Sequence, residues 1–213
     1  MGPRSSSVKS RTYDGTRRQE RASAAFRRTL DVAERLFLET GYTATTVAAI
    51  SKAAGVSAAT IYKTYGGKAG LAREVCQRAL RGGGVIPAQT RSDALRDSAT
   101  AGEVAEGWGR LATEVAPRVA PLMLVLRQAG VADAEAEALY EEFDAQRLQR
   151  MTDNARFLQR AGFLRDGVTV TVARDVLWFT TASEVYELLV MRRGWSRARF
   201  GQFVTDTIGT ITR

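Results

Sequence analysis

The stretch "TTVAAISKAAGVSAATIYKTYGGKAGL", residues 45–71, sets two short helical patterns on either side of Ala54-Gly55-Val56-Ser57. Val47, Ile50 and Ala54 recur at i, i+3 and i+7, one face of a short helix, and Thr45 stands before it as a candidate N-cap. Gly55 supplies the positive φ of a tight turn and Val56 plugs the angle between two helices. Ser57 caps a third helix running to about Tyr65. Two short helices joined in this way form a helix-turn-helix.

Such a unit serves to present a helix. The major groove of B-DNA accepts one α-helix, so a reader needs a protruding helix with small or hydrogen-bonding residues at its leading end. On "SAATIYKTY" Ile61 faces the core, while Ser57, Ala58, Ala59, Thr60, Tyr62 and Lys63 face outward over the first two turns. The alanines let the helix sink deeply and meet thymine methyl groups. Thr60 and Lys63 reach base edges, and Tyr62 reaches a phosphate. Tyr62 and Tyr65 can alternatively pack against the first helix. Thr45 and Thr46 sit where hydroxyls and backbone N–H groups at a helix start make an anion site, and Lys68 adds a positive charge at a second such start.

Outward from this centre, Phe26, Leu30, Ala33 and Phe37 form the stripe of a first helix that Gly41 closes. Leu71, Ala72, Val75 and Ala79 form the inward face of a fourth helix over 68–81. "RGGGVIPAQ" then breaks the pattern. The expected division is a flexible basic arm over 1–18, a three-helix DNA-binding domain over 19–67, a connecting helix over 68–81 and a larger domain over 82–213. Beyond the break, helical spacing dominates. Pro117 is expected to end the helix carrying Trp108 and Leu111, and Pro121 to open the next. Asp133 caps a long helix closing at Gly162. "VTVTV" at 168–172 is too brief and solitary for a sheet, so it reads as a loop entering a helix over 171–192, with a last helix after Ser196. The expected class is all-α.

Composition narrows the function. Residues 1–81 hold 15 Lys and Arg against 6 Asp and Glu, whereas the remainder holds 16 against 17, so the whole basic excess lies with the helix-turn-helix. That asymmetry suits a head that meets a polyanion joined to a body that does not. The 213 residues include no histidine, which removes an imidazole base and a His-ligated zinc. With no nucleophile or phosphate-loop motif either, neither an enzyme nor a cofactor is expected. The lone Cys76 reads as a small buried apolar residue. No apolar run reaches membrane-span length and the N-terminus lacks the apolar segment of a secretory signal, so a cytoplasmic location is expected.

"RTLDVAERLFLETGYTATTVAAISKAAGVSAATIYKTYGGKAGLAREV", from Arg28 to Val75, resembles the DNA-binding region of TetR-family transcriptional regulators. Phe37, Gly41-Tyr42, Thr46-Val47, Ile50, Ala54 to Ser57, Ile61-Tyr62, Tyr65, Lys68 and Leu71 stand at that family's spacing. Gly66-Gly67 in place of a capping serine, and Gly70 beyond it, predict a weak start to the fourth helix.

The resemblance implies a homodimer that binds a pseudo-palindromic DNA operator, most often as a repressor, and a helical body that binds a small-molecule effector. It implies dimerisation through the last two helices, for which Trp178, Ala182, Val185 and Leu189 offer one face and Phe200, Val204 and Ile208 another. Candidates to line an effector pocket are Trp108, Leu111, Met123, Leu126, Phe143, Met151 and Trp178, which favour a lipophilic ligand. Glu184, on a mostly apolar stripe, either meets a polar group of the ligand or pairs with an arginine at the rim. A body that binds a protein partner instead of a small molecule is the alternative.

Overall fold

The computed structural model describes residues 8–213, with side chains described from Ser23 onward. Among the described residues no strand forms, and an isolated bridge pairs Leu164 with Thr212, so the expected all-α class holds. The first helix, α1, spans Val8–Thr40. Of the expected arm, residues 1–7 lie outside the described residues, and residues 8–18 belong to α1. Between Val8 and Arg18 there is no proline and only Gly15, so nothing stops the helix from propagating back from its periodic part.

Helices α2 (Val47–Ala54), α3 (Ala58–Tyr65) and α4 (Lys68–Arg81) follow at the predicted places. Leu30, Ala33, Phe37, Tyr42, Val47, Ile50, Ile61, Leu71 and Val75 bury together between them. Arg28 donates from Nε to the Ala54 carbonyl at 2.7 Å, satisfying a free acceptor at the end of α2. Arg78 of α4 reaches back to Asp31 at 2.6 Å and to Glu34, fastening α4 to α1.

The remaining elements are α5 (Ala88–Ala94) with a short 3-10 turn, α6 (Ala101–Gly130), α7 (Ala134–Arg160), α8 (Val170–Thr180), α9 (Ser183–Tyr186) running into a π-helical turn over Glu187–Arg192, and α10 (Arg197–Gly209). Side-chain caps start most of them: Thr100 with Glu103 in a capping box on α6, then Asp133, Thr169 and Ser196. The sequence break at 82 is not a break in packing. Burial continues from the head through Ala72, Val75, Cys76 and Ala79 of α4 into Leu122, Met123 and Leu126 of α6 and Leu139 and Phe143 of α7. A second core, at the far end of the body, joins Val104, Trp108, Leu158, Leu177, Tyr186, Phe200, Val204 and Ile208.

Three sequence expectations fail here for physical reasons. Pro117 does not end a helix and Pro121 does not begin one, because both lie inside the continuous α6. Burial of α6 against α4, α7 and α10 outweighs the roughly 3 kcal/mol that each interior proline costs. The helix predicted over 171–192 is interrupted at Thr181-Ala182. Thr180 and Thr181 turn their hydroxyls back onto the carbonyls of Val176 and Leu177, and Ala182 is extended at φ −66, ψ 142. Phe200, Val204 and Ile208 are not free for a second subunit; each is at most 2% exposed, spent on the core of its own chain.

Helices α6 and α10 cross closely through a pair of glycines. A Cβ on Gly109 would stand 2.7 Å from the Gly201 carbonyl oxygen, and one on Gly201 would stand 2.9 Å from the Gly109 carbonyl oxygen, so each glycine makes room for the other's backbone.

Candidate functional site

The head is built around α3. Gly55 takes the left-handed conformation at φ 65, and its N–H donates to the Ser51 carbonyl, ending α2. Two residues on, Ser57 accepts from the backbone N–H of Thr60 at 3.1 Å and starts α3. From there the helix splits cleanly. Ile61 has no exposure at all, whereas Ser57, Ala59, Thr60, Tyr62 and Lys63 are exposed and Ala58 is half-buried. Tyr62 is 57% exposed. Tyr65 takes the packing alternative instead: it is half-buried and its ring stacks on Phe26 at 5.4 Å.

The two threonines before α2 separate in role. Thr46 is the N-cap, its side chain accepting from the Ala49 N–H at 3.1 Å, and it is exposed. Thr45 is 2% exposed, and its hydroxyl lies 2.7 Å from the Gly41 carbonyl, 3.2 Å from that of Leu36 and 3.0 Å from the Thr40 hydroxyl. Its hydroxyl holds the turn between α1 and α2 and does not face outward as expected.

Lys68 differs more. Its ammonium donates to the Tyr42 carbonyl at 3.3 Å, lies 3.6 Å from Asp133, the N-cap of α7, and sits 4.1 Å above the Tyr42 ring. These partners make it a link between head and body in place of the expected phosphate contact. Lys68→Ala is expected to cost about 1 kcal/mol of stability, from a partly buried ion pair and a cation–π contact. It should leave the slope of log affinity against log salt for DNA unchanged, which binding titrations over a salt series measure. A second link runs beside it, where Arg73 of α4 grips Glu142 of α7 through both carboxylate oxygens at 3.3 and 2.6 Å. The hydrogen bond from Arg73 holds the Glu142 carboxyl below the ordinary range.

Buried ionisable groups set the alkaline limit of the fold. Burial, with Asp133 and Glu135 nearby, pushes the Tyr42 hydroxyl up to about 12, and burial pushes the Cys76 thiol from 9.0 to about 12. Groups raised on folding stabilise fully below their unfolded values and lose that contribution as pH rises towards the folded ones. The urea midpoint should therefore hold between about pH 7 and 8.5 and fall above about pH 9, with Cys76→Val delaying the first part of the fall.

A partly open cavity of about 540 Å³ lies between α4, α5, α6, α7 and the segment from α8 to α10. Of the sequence candidates, Trp108, Leu111, Met123, Phe143, Met151 and Glu184 line it. Leu126 does not; it is buried in the core shared with the head. Trp178 does not either, because its ring lies behind Arg147, whose guanidinium is 4.7 Å away and donates to the Trp178 carbonyl. Glu184 accepts from Arg127 at 3.1 Å and from the Tyr140 hydroxyl at 3.2 Å, so the rim pairing forms at the cavity wall itself. Sequence reasoning missed the share of α4 and α5, namely Cys76, Leu80, Ala88, Gln89 and Ser92, and it missed Asn154. Asn154 carried a readable signal: with Met151 and Leu158 it falls at i, i+3 and i+7 on one stripe, a polar residue where the period demands an apolar one.

Among the described residues no group of histidine, cysteine or carboxylate side chains could hold a metal, and no helix is long and apolar enough to cross a membrane. Residues 30–75 match the family of bacterial regulatory proteins called the tetR family. No curated protein matches the sequence. Solved structures share the fold along nearly the whole chain. A protein from Saccharomonospora viridis in complex with choline is 23% identical, with 90% of this chain and 99% of that chain covered and a TM-score of 0.66. SmeT in complex with triclosan is 18% identical, with 89% and 92% covered and a TM-score of 0.70. NalD, the secondary repressor of the MexAB-OprM multidrug efflux pump in Pseudomonas aeruginosa, is 19% identical, with 91% and 98% covered and a TM-score of 0.68. The match to the tetR family of bacterial regulatory proteins thus covers the helix-turn-helix head, residues 30–75, and the likeness of the whole chain to these solved structures is one of fold.

Proposed function

We propose that the chain is a transcriptional repressor that acts in the cytoplasm as a homodimer, binds a pseudo-palindromic operator and is released by a small molecule. The observation that carries this is the division of α3, with Ile61 wholly buried and Ser57, Ala59, Thr60, Tyr62 and Lys63 exposed on a basic head. In this reading residues 19–67 read DNA, 68–81 connect, and 82–213 bind the effector and the second subunit. Thr60 and Lys63 read base edges, Ala58 and Ala59 meet thymine methyl groups, and Thr46, Ser57 and Tyr62 contact phosphates. The repressor role of NalD and the choline and triclosan complexes support the same arrangement in relatives of the fold.

Val172, Phe179, Leu188 and Met191 are large apolar side chains left about half exposed on α8 and the π-helical turn. A second copy covering them gives the dimer its interface, in place of the buried face of α10. The effector acts by population shift. Cys76 and Leu80 of α4 and Tyr140 and Phe143 of α7 share the cavity wall, and Lys68–Asp133 and Arg73–Glu142 fasten those same helices. A ligand that prefers a wider gap between α4 and α7 moves the heads out of operator spacing. Selection of bound duplexes from random DNA tests the proposal. An inverted repeat is expected, with half-sites centred about one turn, roughly 34 to 36 Å, apart. Equal retention of all sequences counts against it.

A further inference from the structure

We infer that α5 is the gate of the cavity: a ligand enters when α5 lifts from Glu114 of α6 and Arg150 of α7, and α5 closes again behind it. This rests on the reading of the cavity as an effector site and adds how that site is reached.

Helix α5 bridges the two long helices of the body, and its Ala88, Gln89 and Ser92 form part of the cavity wall. On the α6 side, Arg91 pairs with Glu114 at 2.7 Å, and the same carboxylate oxygen accepts from the Gly83 N–H at 2.7 Å. On the α7 side, Asp93 pairs with Arg150 at 2.9 Å, and Arg150 also donates to the Gln89 carbonyl at 3.2 Å.

These fastenings are polar, and apolar anchorage is missing. No side chain of the described residues 82–94 belongs to either hydrophobic core, whereas each of α6 to α10 places aliphatic or aromatic side chains in one. The buried residues of α5 are Ala88 and Ser92, which have little hydrocarbon to remove from water. Water can take over a part-exposed ion pair or hydrogen bond when it parts, so an element held in this way opens at lower cost than one held by a core. The two ends of the segment differ. Leu95, just after α5, packs on the far core, and a Cβ on Gly107 would stand 2.5 Å from its methyl carbons. Before α5, Gly82, Gly83 and Gly84 bring no side chain to hold the backbone. The lift therefore pivots near Leu95 and frees the glycine end from Glu114.

Stopped-flow fluorescence on the full chain with the neutral dye N-phenyl-1-naphthylamine tests this. Glu114→Gln and Asp93→Asn each weaken one side of the gate, and neither residue lines the cavity. Each variant is expected to raise the association and dissociation rates of the dye together, about fivefold, and to leave its equilibrium affinity within about twofold of the parent. A residue that only shaped the cavity would move the affinity instead, and either variant alone suffices if the other fails to fold. Hydrogen exchange gives the second readout: bound dye should slow the amides of Arg91 to Ala94 at least about fivefold, as α5 closes over it. Rates unchanged in both variants mean that ligands pass elsewhere and overturn the gate. Dye that binds without slowing those amides overturns the closure. No binding of the dye removes the effector reading of the cavity, and this inference with it.

Discussion

The double variant Thr60→Ala, Lys63→Ala is expected to bind the selected operator about 100-fold or more weakly, because each base-edge contact is worth about 1–3 kcal/mol and a dimer makes each one twice. Both side chains are exposed, and the hydroxyl of Thr60 meets only that of Ser57, at 2.8 Å. The variant should therefore keep the thermal midpoint of the parent, which separates lost recognition from lost folding. Fluorescence anisotropy at one salt concentration, with operator and scrambled duplexes, gives the measurement. The loss should fall on the operator far more than on scrambled DNA. An equal loss on both would mean that these side chains touch phosphates and read no bases.

Gly70→Ala carries the largest expected effect on stability, and its sign separates two physical arguments. Helix propensity alone makes alanine about 1 kcal/mol better than glycine inside a helix such as α4. The fold says the reverse. A Cβ on Gly70 would lie 1.6 Å from the carbonyl oxygen of Tyr65 and 2.7 Å from its carbonyl carbon. That obstacle is backbone, at the last residue of α3, immediately before the left-handed Gly66 whose N–H closes the helix onto the Tyr62 carbonyl. It cannot swing aside as a side chain would. Gly70→Ala should therefore destabilise by about 3 kcal/mol or more, at the upper end of overpacking costs, and lower the urea midpoint accordingly. Stabilisation by alanine would show that α3 and α4 do not approach as closely as described.

The same glycine shows what was legible in the sequence and what was not. Read by helix propensity, Gly70 only weakens a helix; in the fold the left-handed turn at Gly66 and Gly67 brings it against the Tyr65 carbonyl five residues back, which propensity does not register. The head was readable because its signals are local: Ser57 caps within three residues, Gly55 turns where it stands, and Ile50 and Ile61 mark buried faces by period, although the cap of α2 falls on Thr46, one residue after the expected Thr45. Thr45 and Lys68 were read as outward-facing for the same reason. Each sits at a helix start, but the partners that claim them, the Leu36 and Gly41 carbonyls for one and Asp133 for the other, come from packing. In the body, Pro117 and Pro121 followed a local rule that α6 overrides by burial along its length. Leu126 and Trp178 belong to apolar stripes, and a stripe says that a residue is inward without saying whether it meets a cavity or a neighbour. Six of the eight effector candidates line the cavity, while α4 and α5 add walls that no periodicity in the body could assign.

The central claim is that α3 enters the major groove. Chemical methylation of guanine N7 on the selected operator, with and without the full-length protein, reads that groove directly. Protection is expected in two patches, one per half-site, roughly one helical turn apart, and it should weaken in the Thr60→Ala, Lys63→Ala variant. Guanine N7 that stays fully reactive under saturating protein, with protection confined to the minor groove, would contradict it.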